Sequence, residues 1–186
     1  MTNFDDDYEG PNWYGLMYAA ITFAVNSPDA STQNAAMLTM PDGNGLPETL
    51  SCNGFPLGIE SKRERWERPV KYSYVEHAER NAIYAAAREG IKTEGLTLVA
   101  VWASCADCAR AIIQSGISRL VRYAGTAHTR WDESIAIADT MFEEAGIEVI
   151  TLTQPILGTP ILLRNGSPWT PDGVLDPATP LIYSKG

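Results

Sequence analysis

His77-Ala78-Glu79 and, further along, Cys105-Ala106-Asp107-Cys108 constrain the fold of this chain more than any other feature. One imidazole and two thiols form a nitrogen–sulfur donor set suited to zinc. Three protein ligands leave the fourth tetrahedral position open, as catalytic rather than structural zinc sites do. For these residues to meet, two distant segments must converge. Each motif reads as the start of a helix, where free N–H groups and partial positive charge help hold cysteine as the metal-binding thiolate. Cys105 and Cys108 are three apart and can point the same way from one helical turn. His77 and Glu79 would diverge on a mid-helix surface, so they can share a pocket only if it meets the helix end-on, at its first turn. That geometry is the central structural expectation.

The remaining patterning supplies elements that can build such a site. Apolar residues at helical spacing predict a helix from Trp13 to about Asn26, ended by Ser27-Pro28-Asp29. Ala35 to Met40 and Glu48 to Cys52 read as strands joined through Pro41-Asp42-Gly43-Asn44-Gly45. Tyr74 to Arg88 reads as a helix stopped by Gly90, and Leu96 to Ala103 as a strand buried on both faces. A helix from Cys105 to Gln114, a strand from Arg119 to Tyr123, a helix from Asp132 to Ala145 and a strand from Glu148 to Leu152 follow. This order predicts a single α/β domain, a three-layer α/β/α sandwich around a central mixed sheet of about five strands, with its core at 13–152. The extension 153–186 is Pro-rich and carries a predicted hairpin, Ile161 to Trp169, around Asn165-Gly166. It is expected to pack on the domain edge or on a neighbouring subunit.

Charge narrows the partners. A formal net charge of −9 opposes binding to a long nucleic acid, whose affinity comes mainly from clustered Lys and Arg. The local exception runs from Lys62 through Arg63, Arg65 and Arg68 to Lys71. It reads either as a solvated loop or short helix, or as a segment whose Lys71 attracts a single phosphate. There is no apolar run long enough to span a membrane. The acidic N-terminus lacks the basic start of a targeting peptide, so the expected location is cytoplasmic. Cytoplasmic cysteines are more often metal-binding or catalytic than disulfide-bonded. Of the residues left over, His128 reads as a surface loop histidine. Cys52 reads as a small buried hydrophobe at a strand end, or as a residue lining the pocket.

His-x-Glu followed by Pro-Cys-x-x-Cys is the pattern of zinc-dependent nucleobase deaminases. Here the longer stretches Lys71-Tyr72-Ser73-Tyr74-Val75-Glu76-His77-Ala78-Glu79-Arg80-Asn81-Ala82-Ile83 and Ser104 to Ile117 resemble the zinc-binding segments of the deoxycytidylate (dCMP) deaminases. Cys52-Asn53-Gly54-Phe55-Pro56 resembles that family's Asn-Gly loop, and Met141 to Ile147 its last core helix. The resemblance covers roughly residues 35–150. It implies a cytidine deaminase-like fold, Zn2+ held by His77, Cys105 and Cys108, and Glu79 as the catalytic proton shuttle. It also implies that Asn53 bonds the deoxyribose and that the Ala78 N–H faces the pyrimidine O2. The implied reaction is hydrolytic deamination of dCMP to dUMP with release of ammonia, supplying dUMP for thymidylate synthesis. A homo-oligomer, hexameric in the family's common form, and dCTP and dTTP as candidate effectors are implied too.

Two departures bear on this reading. Ser104 stands where the family has proline, in the turn that presents a backbone carbonyl to the leaving amine. Proline there pre-sets φ but supplies no ligand, so the site is expected to survive. The tail, with Trp169 and Tyr183, has no counterpart; it reads as an oligomer-stabilising extension or as a cover that tunes specificity for a 5-substituted cytosine. The competing functions are deamination of cytidine or 5-substituted dCMP, a tRNA or DNA base deaminase, and a non-catalytic zinc module. Negative charge opposes the nucleic-acid reading, and Glu79 has no use in a purely structural site. Lys71 and Arg122 are the candidates for phosphate contact.

Overall fold

The computed structural model describes residues 10–124 and 130–171; His128 and Tyr183 fall outside them. Helix α1 (Trp13–Ala24) opens the fold, with the Asn12 side-chain oxygen accepting from the Gly15 N–H at 2.8 Å as its N-cap. Strands β1 (Ala35–Thr39) and β2 (Ser51–Cys52) follow. A short helix α2 (Lys71–Tyr74) precedes α3 (Ala78–Glu89). Then β3 (Thr97–Ala100), α4 (Ala106–Gln114), β4 (Arg119–Tyr123), α5 (Asp132–Ala145) and β5 (Glu148–Leu152) alternate. Strands β6 (Leu162–Arg164) and β7 (Ser167–Trp169) form a separate hairpin.

The main sheet has five strands in the order β2-β1-β3-β4-β5. β1 runs antiparallel to both its neighbours, while β3, β4 and β5 are parallel. Period-two alternation sorts the buried residues to two faces. Ala35, Met37, Val99, Val101, Val121 and Tyr123 pack against α1. Ala36, Leu38, Leu98, Ala100 and Leu120 pack against residues of α3, α4 and α5, including Ala82, Ile112 and Phe142. The result is the expected mixed-sheet, three-layer α/β/α arrangement.

Two predicted elements are corrected by the structure. The expected strand from Glu48 survives only as Ser51–Cys52; Pro47–Thr49 is a 3-10 turn, with proline at its start where no N–H is needed. The expected helix from Tyr74 is two pieces. Between them Val75 is extended and Glu76 bridges to Gly54, each N–H bonding the other's carbonyl, at 2.8 and 3.0 Å. That interruption lets α3 begin at Ala78, immediately after the histidine. Gly90, at φ +69, then ends α3 in the left-handed conformation that glycine adopts without strain.

The predicted hairpin in the extension is present. Asn165 and Gly166 have φ of +51 and +82, the pair of positive values that a two-residue hairpin turn of this hand requires. The hairpin packs on the α1 side of the same core. Leu162 and Trp169 are buried there, and the Trp169 ring lies edge-on to Trp102 at 4.3 Å and to Tyr123 at 5.8 Å. Backbone bonds from Gln33 N–H to the Leu163 carbonyl and from Gly166 N–H to the Ser31 carbonyl fasten it to the loop before β1.

Candidate active site

His77 and Cys105 occupy equivalent positions: each is the extended residue immediately before a helix, α3 and α4 respectively. Their side chains therefore leave the backbone at the helix tips and meet end-on. Cys108 joins them from the first turn of α4. His77 Nδ1 lies 3.6 Å from Cys105 Sγ and 3.5 Å from Cys108 Sγ, and the two sulfurs are 3.7 Å apart. A tetrahedral ion with Zn–S near 2.3 Å and Zn–N near 2.05 Å demands edges of about 3.8 Å between sulfurs and about 3.5 Å from sulfur to nitrogen. The donor set fits zinc in type and in spacing, and His77, Cys105 and Cys108 could hold a metal ion.

The protonation of the thiols points the same way. A hydrogen bond from Cys108, helped by His77, pulls the Cys105 thiol down to about 4. Cys108 is pushed well above its usual range by the same sulfur contact and by burial. The thiolate beside it and burial together keep a proton on Cys108, and a divalent cation between the two sulfurs removes that conflict. Arg80 donates from Nη1 to Cys108 Sγ at 3.5 Å and pairs through Nε with Glu76, adding positive charge beside the sulfurs.

Glu79 enters the same pocket from the first turn of α3 and is 2% exposed. Burial raises its carboxyl above the ordinary range, partly opposed by His77. Its partner is Asn34, whose side-chain N–H donates to Glu79 Oε2 at 3.2 Å. The pocket, about 190 Å3, is walled by Tyr72 and Trp131 on one side and Trp102 on another. Trp131 stands edge-on to the His77 ring at 5.9 Å.

The other anticipated residues divide. Asn53 lines the pocket, but both ends of its amide are engaged by the protein: Oδ1 accepts from the Ala78 N–H at 2.9 Å and Nδ2 donates to the Thr32 carbonyl at 3.1 Å. The Ala78 N–H is thus already partnered. Ser104 is wholly buried between Ala103 and Cys105, and its hydroxyl has no hydrogen-bond partner. Lys71 lines the pocket, yet not as an unpaired charge: its ammonium sits 2.6 Å from Asp29 Oδ1, with both side chains buried. Elsewhere in the basic segment, Arg63 and Arg65 lie in the short turn Arg63–Trp66, where Arg65 packs over the Tyr74 ring, Lys62 pairs with Glu60, and Arg68 donates to Ser31 Oγ at 3.1 Å. Arg122 pairs with Asp139 of α5 and is not among the pocket-lining residues. Cys52 donates to the Phe23 carbonyl and packs against the α1 side of the core instead of lining the pocket; burial pushes its thiol up to about 11.

With this geometry in hand, the sequence profile of the cytidine and deoxycytidylate deaminase zinc-binding region matches residues 18–124, more than half of the chain. The chain belongs to this deaminase family. A deaminase described as uncharacterised, from the luxG 3' region of Aliivibrio fischeri, is 36% identical over 133 residues, covering 70% of this chain and 86% of that protein. The deoxycytidylate deaminase of Enterobacteria phage T4 is 45% identical over 133 residues, covering 69% of this chain and 66% of the phage protein. Among solved structures, the dCMP deaminase of cyanophage S-TIM5, determined in complex with dCMP and dUMP, superimposes with a TM-score of 0.59. It is 22% identical, and the match spans 74% of this chain and 94% of that one, a likeness of fold.

Within this deaminase several pocket residues escaped sequence reasoning. Asn34 lies just before β1 and bonds Glu79 across the pocket, with no motif to announce it. Trp131, Arg130 and Arg164 come from elements far from the zinc motifs. Only the tail's length and its Trp169 hinted that the extension takes part.

Proposed function

We propose that this protein hydrolyses dCMP to dUMP, releasing ammonia. The observation that carries the reading is the convergence of His77, Cys105 and Cys108 on one point of a pocket that also holds the buried carboxyl of Glu79. The choice of dCMP among cytosine compounds is supported by the likeness to the phage T4 enzyme. Zinc held by the three donors would supply Lewis acidity that makes a water nucleophilic near neutral pH.

Glu79 takes a proton from that water and delivers it to ring N3 while the water oxygen bonds C4; it then moves the proton of the new C4 hydroxyl to the amine, the C4–N bond breaks and ammonia leaves. Working as base and then acid favours a carboxyl raised above its ordinary range, the direction in which burial moves it. Asn34 fixes the carboxyl by its bond to Oε2. Asn53 meets the sugar while holding the Ala78 backbone, and the Ala78 N–H is shared between Asn53 Oδ1 and the pyrimidine O2. The Ser104 carbonyl faces the leaving amine. Lys71 acts with Asp29 as a neutral pair shaping the sugar end of the pocket. The tryptophan and tyrosine walls exclude bulk water.

The charge of −9 favours a small nucleotide over a tRNA or DNA strand. No helix among the described residues is long and apolar enough to cross a membrane. A cytoplasmic location is part of the same proposal. Assembly as a homo-oligomer, hexameric in form, and control by dCTP and dTTP complete the reading. The test is ammonia release from the zinc-loaded protein with dCMP, deoxycytidine, cytidine and 5-hydroxymethyl-dCMP, with and without dCTP and dTTP. Turnover of dCMP well above the nucleosides is expected; cytidine as the better substrate would overturn the reading.

A further inference from the structure

The cations lining the pocket are Lys71, Arg80, Arg130 and Arg164. Lys71 is neutralised by Asp29, and Arg80 by Glu76. Arg130 is exposed and rests over the Tyr72 and Trp131 rings. Arg164 differs from all of these. Its Nη1 is buried and makes no hydrogen bond. Burial pushes the guanidinium down to about 10, with Asp132 pulling the other way, so it remains charged at neutral pH.

A buried cationic N–H without an acceptor costs free energy, and such a group persists where a ligand completes it. The surroundings hold Arg164 in place rather than satisfying it. Its guanidinium lies 4.5 Å from the centroid of the Trp102 ring, a cation–π contact that orients the fork without using its donors. Trp102 is itself pinned by donating Nε1–H to the Gln33 carbonyl at 2.8 Å. The hairpin is fixed next door: Leu163 N–H donates to Gln33 Oε1 at 2.9 Å and Asn165 N–H to Thr32 Oγ1 at 3.2 Å.

We propose that Arg164, carried into the pocket by the C-terminal hairpin and stacked on Trp102, recognises the phosphate of the substrate and sets the preference for a nucleotide over a nucleoside. The inference rests on the dCMP reading above. The planar guanidinium offers two parallel donors to a phosphate, the geometry in which arginine outperforms lysine. The extension thereby gains a role in specificity: it completes the pocket wall with the one cation among the described residues that has a buried donor left over. Recognition by Arg164 also explains why Lys71 can be spent on Asp29.

The experiment compares wild type with Arg164→Gln and Arg164→Lys, each checked for zinc content and thermal midpoint. Two quantities are read: the ratio of kcat/KM for dCMP to that for deoxycytidine, and the affinities of dUMP and deoxyuridine by calorimetry. Loss of a charge-assisted pair predicts a fall in the ratio on the order of 100-fold in Arg164→Gln, mostly through KM, and a smaller fall in Arg164→Lys. The affinity for dUMP should drop in parallel while that for deoxyuridine holds. Equal losses for nucleotide and nucleoside, or no change in either, would overturn the proposal. Wild-type protein that failed to prefer dCMP at all would instead remove the functional reading beneath it.

Discussion

The Asn34 side-chain amide donates to Glu79 Oε2 at 3.2 Å, joining the residue before β1 to the first turn of α3 across 45 positions of sequence. Both residues are buried, and the other end of the Asn34 amide, Oδ1, has no partner. An amide held this way orients the carboxyl that must move protons. Asn34→Leu keeps the volume and removes the donor. We expect kcat for dCMP to fall roughly tenfold, as for one lost hydrogen bond of about 1.4 kcal/mol, with KM little changed. Unaltered kcat would show that Glu79 needs no such support.

Glu79 carries a pH signature. Burial raises its carboxyl in the native state, so the folded, metal-free protein binds this proton more tightly than the unfolded chain. Stability from that proton is complete below the unfolded value of about 4.3 and is lost as pH rises through the raised native value. Glu79→Gln has no proton to lose and retains an acceptor for Asn34. In chelator it should melt above wild type at about pH 8 and together with it near pH 4. With zinc restored it should bind about one ion per chain yet lose roughly 100-fold or more in kcat. Full activity in this variant would exclude Glu79 as the proton carrier.

Cys105→Ser tests the metal centre from another side. The serine hydroxyl ionises far less readily than a thiol already drawn down to about 4. Zinc content measured by atomic emission should fall from about one per chain toward zero, and the thermal midpoint should fall with it, because metal binding and folding are coupled. Undiminished zinc would contradict the ligand set.

Ser104 supplies a prediction of opposite sign. Its hydroxyl is buried and unpaired, a standing desolvation cost. Ser104→Ala should stabilise the protein by about 1 kcal/mol, read as a rise of a few degrees in thermal midpoint. A lower midpoint would mean that the hydroxyl is satisfied in solution.

The sequence alone marked the residues that could hold a metal and most of the strands of the sheet. Spacing of three between Cys105 and Cys108 is a local fact that survives folding because helical geometry is local, whereas the break that leaves His77 at the tip of α3 needed the bridge from Glu76 to Gly54. The alternation in β1, β3 and β4 likewise sorts side chains to two faces whatever lies beyond them. Tertiary structure decided the rest. Whether Lys71 was a free charge depended on Asp29, 42 positions away, and whether Ala78 N–H was open depended on Asn53. The partners of Glu79 and the wall formed by Arg164 arise where the chain folds back on itself. Pairings of that kind are set by packing in three dimensions, and no periodicity along the chain encodes them.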